Sequence, residues 1–126
     1  MHVLRQTHRA LRPGGLLLDM HPLGMDFAVR AGRRGLGFVD TRRFARVLAA
    51  MDEHVQTVVE EGLYEEIRTL RRHVAERFDA AAEALEEASS WEHLRLPPLL
   101  RWRLRRSNAS PVEFIDTIRY RLFRRL

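Results

Sequence analysis

The stretch Leu11-Arg12-Pro13-Gly14-Gly15-Leu16-Leu17-Leu18-Asp19-Met20-His21-Pro22 decides how this chain is read. Ahead of it, Val3, Leu4, Thr7, His8 and Leu11 recur at the spacing of one face of an amphipathic helix. Pro13 and Gly14 end that helix, because proline cannot continue the hydrogen-bond ladder and glycine accepts the reversed backbone beyond it. Leu16, Leu17 and Leu18 then place apolar side chains on both faces of a strand, the pattern of a central parallel strand covered on both sides. Pro22 through Gly24 breaks the strand. A helix, a Pro-Gly-Gly reversal and a buried strand make an α/β unit entered in its middle.

Downstream, Phe27–Arg30 and Leu36–Val39 read as short strands of a hairpin flap around Gly32-Arg33-Arg34-Gly35. Asp40 or Thr41 is placed to cap a helix whose apolar positions are Phe44, Val47, Leu48, Met51, Val55, Val58 and Val59, and Gly62 ends it. Residues 63–78 carry two signals. Leu63, Ile67, Leu70, Val74 and Phe78 are spaced for a helix, while alternation is visible only from Leu70 onward. Asp79 is expected to cap an Ala-rich helix reaching Ala88. Pro97-Pro98 suits the first turn of another helix, expected to bury Leu96, Leu99, Leu100 and Leu104. Ser107–Pro111 reads as a turn, and Val112–Phe123 as a last strand with Phe114, Ile118, Tyr120 and Leu122 in one phase.

A length of 126 residues suits one domain with a modest core. The chain has no cysteine, which leaves neither a disulfide framework nor a thiolate site. No apolar run approaches the roughly 20 residues of a membrane span, and the N-terminus lacks a signal-peptide pattern. The expected location is the cytoplasm, with no membrane partner. All 22 basic residues are arginine, and with abundant Ala, Leu and Gly this fits a GC-rich genome. Residues 101–126 hold eight arginines against Glu113 and Asp116. Such a tail can bind nucleic acid, but Trp102, Tyr120 and Phe123 match no stacking or docking motif, so the favoured reading is a solvated face.

Residues 9–15, Arg9-Ala10-Leu11-Arg12-Pro13-Gly14-Gly15, feeding an apolar strand, resemble the segment before and through the fifth strand of class I S-adenosylmethionine-dependent methyltransferases. The stretches VVEEGLYEE, ERFDAAAEALE and LPPLLRWRLRRS follow in the order found in the tail of a bacterial subgroup of that family. The resemblance implies an α/β fold: the C-terminal half of a Rossmann-like sheet, with its last three strands and flanking helices. It makes residues 63–78 a strand and pairs them antiparallel with the final one. One partial domain then spans residues 1–126: helix, turn and central strand over 1–22, flap and long helix over 23–62, and strand, helices and final strand over 63–126. The family's Gly-rich cofactor loop is not found. Gly32, Gly35 and Gly37 lack a preceding apolar strand and a following helix. The cofactor-binding half is therefore expected to be absent, and S-adenosylmethionine belongs to the longer family protein, not to this chain.

Three residues stand out as substrate-facing candidates. Asp19 and His21 leave the Leu16–Leu18 strand at its carboxyl end, where ligands sit in open α/β sheets, and His21 is a candidate base. Trp91 lies among the helices that, by the resemblance, cover the acceptor pocket. No catalytic or cofactor-binding residue is assigned. The six histidines show neither an i, i+4 nor a His-x-His pair, so no metal site is expected. Glu60, Glu61, Glu65 and Glu66 are expected to be solvated or paired with Arg68, Arg71 and Arg72. The expected function is a methyltransferase fragment that completes the sheet and covers a small-molecule methyl acceptor, inactive alone, with Met1 an internal methionine. Its partner would be the missing N-terminal half. The rival reading is a stand-alone interaction module that pairs with a second copy of itself. An Arg-tail nucleic-acid binder ranks third.

Overall fold

The computed structural model describes residues 2–126. It is α/β, with four helices and a five-stranded antiparallel sheet. The elements are α1 (His2–Ala10), β1 (Leu16–Pro22), β2 (Ala28–Ala31), β3 (Arg34–Phe38), α2 (Arg42–Glu60), β4 (Tyr64–Phe78), α3 (Ala81–Ser89), α4 (Pro98–Arg106) and β5 (Val112–Arg125). The chain divides into two compact units. The first holds residues 1–22, 46–72 and 118–126, and the second residues 23–45 and 73–117. The long elements α2, β4 and β5 contribute to both.

In the first unit, β1 pairs antiparallel with the last part of β5, from Leu16 opposite Arg124 to Pro22 opposite Ile118. On the other side of β5 lies β4: Leu126 N donates to Leu63 O at 3.1 Å, and Arg124 meets Glu65 at 3.6 Å. The order is therefore β1–β5–β4. The core is Val55, Val58, Tyr64 and Phe123, with Leu4, Leu11 and Leu17 packed against it. Two contacts tie α1 down. The Tyr64 hydroxyl donates to Leu4 O at 2.7 Å, and the Tyr64 ring stands edge-on to His8 at 5.5 Å. The Pro-Gly-Gly reversal is required sterically, because a Cβ on Gly15 would lie 2.9 Å from the Arg12 carbonyl oxygen.

The expected parallel setting and two-sided burial of Leu16–Leu18 are both corrected here, for β1 pairs antiparallel with β5. Leu16, Leu18 and Met20 are 56–57% exposed. In a strand, alternate side chains point to opposite faces, and the helices reach only the face that carries Leu17. The register places Leu18 opposite Leu122 and Met20 opposite Tyr120, which puts those two β5 residues on the open side as well. The expected phase of β5 shifts accordingly, with Phe123 rather than Leu122 in the core.

The second unit holds the larger core, built on Val29, Leu36, Leu100, Leu104, Val112 and Phe114. The expected flap is the β2–β3 hairpin, turned by Gly32-Arg33 with Gly32 at φ 58°, and β2 also pairs with residues 112–115 of β5. Pro98 opens α4 in its first turn, Leu100 and Leu104 are buried, and Leu99 points outward, against expectation. The start of α3 also departs from the sequence reading. Ala80 is the capping residue, and the Asp79 N–H reaches forward to Glu83 at 3.4 Å. Of the two expected caps of α2, Thr41 holds the position before the helix and accepts from Ala45 N at 2.9 Å through its carbonyl, while the Asp40 carboxylate accepts from Arg42 N at 3.2 Å. The acidic residues Glu60, Glu61, Glu65 and Glu66 are exposed, as expected, and the pairs that form are Glu61 with Arg5 and Glu65 with Arg124.

Candidate functional site

Period-two alternation puts Leu17, Asp19 and His21 of β1 on the helix-covered face, directly opposite Phe123, Arg121 and Arg119 of β5. One strand face thus passes from the apolar core to a row of ionisable groups at the carboxyl end of β1. The α2 residue Asp52 joins that row.

The groups form one chain of contacts. His21 Nε2 lies 2.7 Å from Asp19 Oδ1. The other oxygen of Asp19 accepts from Arg121 at 3.2 and 3.4 Å. Arg121 also donates to Asp52 Oδ1 at 3.2 Å. Arg119 then grips Asp52 with both terminal nitrogens, at 2.7 and 3.2 Å. This fork-on-carboxylate geometry is the strong form of the arginine pair. The side chains of Arg119 and Arg121 are only 11% and 12% exposed, and Arg119 Nε is buried without a hydrogen-bond partner. Burial acts to raise the Asp52 carboxyl, but the hydrogen bond and charge of Arg119, with the charges of Arg121 and His21, outweigh it. The group ends below its ordinary value.

Two Asp and two Arg cancel, so the row is neutral apart from His21. Asp19 orients the imidazole through Nε2, which leaves Nδ1 as the ring nitrogen not held by the row. A carboxylate that fixes the orientation of an imidazole is a recurring general-base arrangement.

The structure therefore brings Asp19 and His21 together. Trp91 stands in the second unit, half-buried, with its ring 5.7 Å from Phe27 and 5.2 Å from Phe114, where it serves packing. Sequence reasoning missed Arg119, Arg121 and Asp52. The signal was present as Arg119-Tyr120-Arg121, two like residues two apart in a strand and hence on one face. The basic tail is accordingly not uniformly a solvated face, since two of its arginines are mostly buried and paired.

The residues present do not fit an S-adenosylmethionine cradle. Gly32 turns the β2–β3 hairpin, Gly35 and Gly37 lie within β3, and the segment from β3 to α2 (Val39-Asp40-Thr41) contains no glycine. The backbone N–H nest that such a cofactor needs between strand and helix is not formed among the described residues. The chain matches no known protein-family model, no curated protein sequence and no solved structure.

Proposed function

We propose that the chain is the C-terminal part of a class I S-adenosylmethionine-dependent methyltransferase, completing its sheet and lining part of the acceptor site. The observation that carries the reading is the strand order β1–β5–β4, with β5 antiparallel between its neighbours and β1 entered through the Arg-Pro-Gly-Gly turn. The antiparallel pairing of residues 63–78 with the final strand is what the resemblance implies. The second edge of β1 pairs with no described strand, and its Leu16, Leu18 and Met20 face is open. A further strand and covering helices would bury both.

In this reading His21, held by Asp19, takes the proton from a methyl acceptor, and Arg121 holds Asp19 in place. Arg119 and Asp52 fix Arg121 in turn. The acceptor is positioned by these groups, and positioning is the main protein contribution to an in-line transfer. The methyl donor is held by residues outside this chain.

The test is to translate the DNA upstream of the Met1 codon in frame, express the longer product, and follow transfer of a labelled methyl group. The expected result is a preceding segment with a strand, a Gly-rich turn and a helix, and transfer that the 126 residues alone do not support. Micromolar S-adenosylmethionine binding by the monomeric chain would overturn the reading. The same open edge also favours a second reading, a stand-alone module paired with its own copy. An in-frame stop close upstream, with a monodisperse dimer by light scattering, would establish that alternative.

A further inference from the structure

We propose that the cleft between the β2–β3 hairpin and the C-terminal end of α4 binds a mononucleotide, with Arg34, Arg103 and Arg106 taking its phosphates and Trp102 stacking on its base. The cleft lies wholly within the second unit and is independent of the methyl-transfer reading. Its volume is about 630 Å³, within the ~300–1,000 Å³ of small-molecule sites.

The lining is strongly one-signed. Three arginines face the cleft and no carboxylate does, and none of the three pairs with an acid anywhere among the described residues. Arg119 and Arg121, by contrast, are fully matched by Asp19 and Asp52. Like charges gathered without a counter-ion repel one another, and an anion that bridges them removes the repulsion. Arg103 is already fixed, since one of its terminal nitrogens donates to Leu36 O at 2.9 Å, so less freedom is lost when its remaining N–H groups engage a phosphate. Arginines at the end of α4 also complement its helix dipole. That accounts for Arg103 and Arg106, but neither for Arg34, which comes from β3, nor for an open indole.

Trp102 supplies the second half of the argument. It is 55% exposed, and the Arg106 guanidinium sits over its ring at 5.0 Å. A large apolar ring left in water beside cations is a stacking platform for a planar base. Asn108, on the same wall, offers an amide to a base edge. A Cβ built on Gly35 meets nothing within 4 Å, so the hairpin side of the cleft stays open.

The experiment is a fluorescence titration of the full chain carrying W91F, so that Trp102 alone reports, with ATP, adenosine and tripolyphosphate as separate probes. ATP should saturate the signal and bind about tenfold or more tightly than either half-ligand. Two double variants locate the site. R34Q/R106Q should weaken ATP about tenfold or more, as expected for lost charge-assisted bonds. R101Q/R105Q removes the same charge from residues outside the cleft lining and should leave ATP binding within about twofold. Tripolyphosphate binding as tightly as ATP would overturn the stacking role of Trp102. Equal losses in both double variants would overturn the cleft. So would a single-stranded oligonucleotide whose affinity rises with length while ATP fails to saturate, because the basic face would then track a nucleic-acid backbone.

Discussion

Removing the Asp52 carboxylate tests whether the row from His21 to Arg119 is an energetic unit. In D52A, Arg119 keeps its buried position and loses its only acidic partner among the described residues, while Arg121 retains Asp19. Breaking a fully buried ion pair by deleting one member costs about 3–5 kcal/mol. Asp52 is itself 36% exposed, so water screens part of the interaction, and the expected loss is about 2 kcal/mol. For a chain of this size that is about 5–10 °C in Tm. The folded carboxyl lies below its ordinary value, so its stabilisation is complete above the unfolded value of about 3.9 and is lost as pH falls through the folded value. Urea unfolding of wild type and D52A should therefore differ by a constant amount near neutrality and converge as the pH drops below about 4. A double-mutant cycle with R119A should return a coupling of about 1–2 kcal/mol. A neutral-pH loss under about 0.5 kcal/mol, or a loss that does not shrink in acid, would refute the reasoning.

Other substitutions probe the rest of the fold. Leu104 is fully buried in the second unit, and L104A should cost about 2–5 kcal/mol by urea unfolding. Y64F removes the hydroxyl bond to Leu4 O and should cost about 1 kcal/mol, with faster amide exchange confined to α1. G15A forces a Cβ against the Arg12 carbonyl oxygen and should cost about 1–3 kcal/mol in the same assay. L16E/L18E alters only the open face of β1, so the unfolding free energy should hold within about 0.5 kcal/mol while light scattering shows less self-association.

The elements with strong local signals were legible. Gly62 past the α2 pattern, Pro98 at the start of α4 and the Pro-Gly-Gly reversal each restrict the backbone directly. β4 shows the limit of periodicity. From Glu65 to Arg77 every residue is exposed, so neither face selects apolar positions, and the helical spacing of Ile67, Leu70 and Val74 carries no structural meaning there. The order of flanking motifs identified the strand where its own pattern could not. Leu16–Leu18 misled in the opposite way. Composition says how apolar a strand is, but only the position of the helices decides which face is covered. The ion row was half legible. Asp19 and His21 follow from the carboxyl end of β1. Asp52 gives no local sign, because its partners are 67 and 69 residues away.

β1 presents two opposite chemistries, and each explains why the other is tolerated. Its inner face runs from Leu17 to Asp19 and His21, where every carboxylate is matched by an arginine. Its outer face is apolar and open from Leu16 to Met20. A strand needed only to seal this unit would gain nothing from exposed leucines, and a polar outer face would cost little. A strand needed only to bind solvent-borne ligands would gain nothing from a desolvated arginine pair. The combination suits a strand whose outer side is covered by further protein and whose carboxyl end opens into a site. In the proposed reading the charge row matters most under that cover, because excluding water from the outer side would lower the local dielectric and strengthen the hold of Arg121 on Asp19, and through Asp19 on His21. If the proposed longer product transfers methyl groups, its activity should accordingly be more sensitive to R121Q than the stability of the 126-residue chain is. Equal sensitivity would mean that the row only stitches α2 to the sheet.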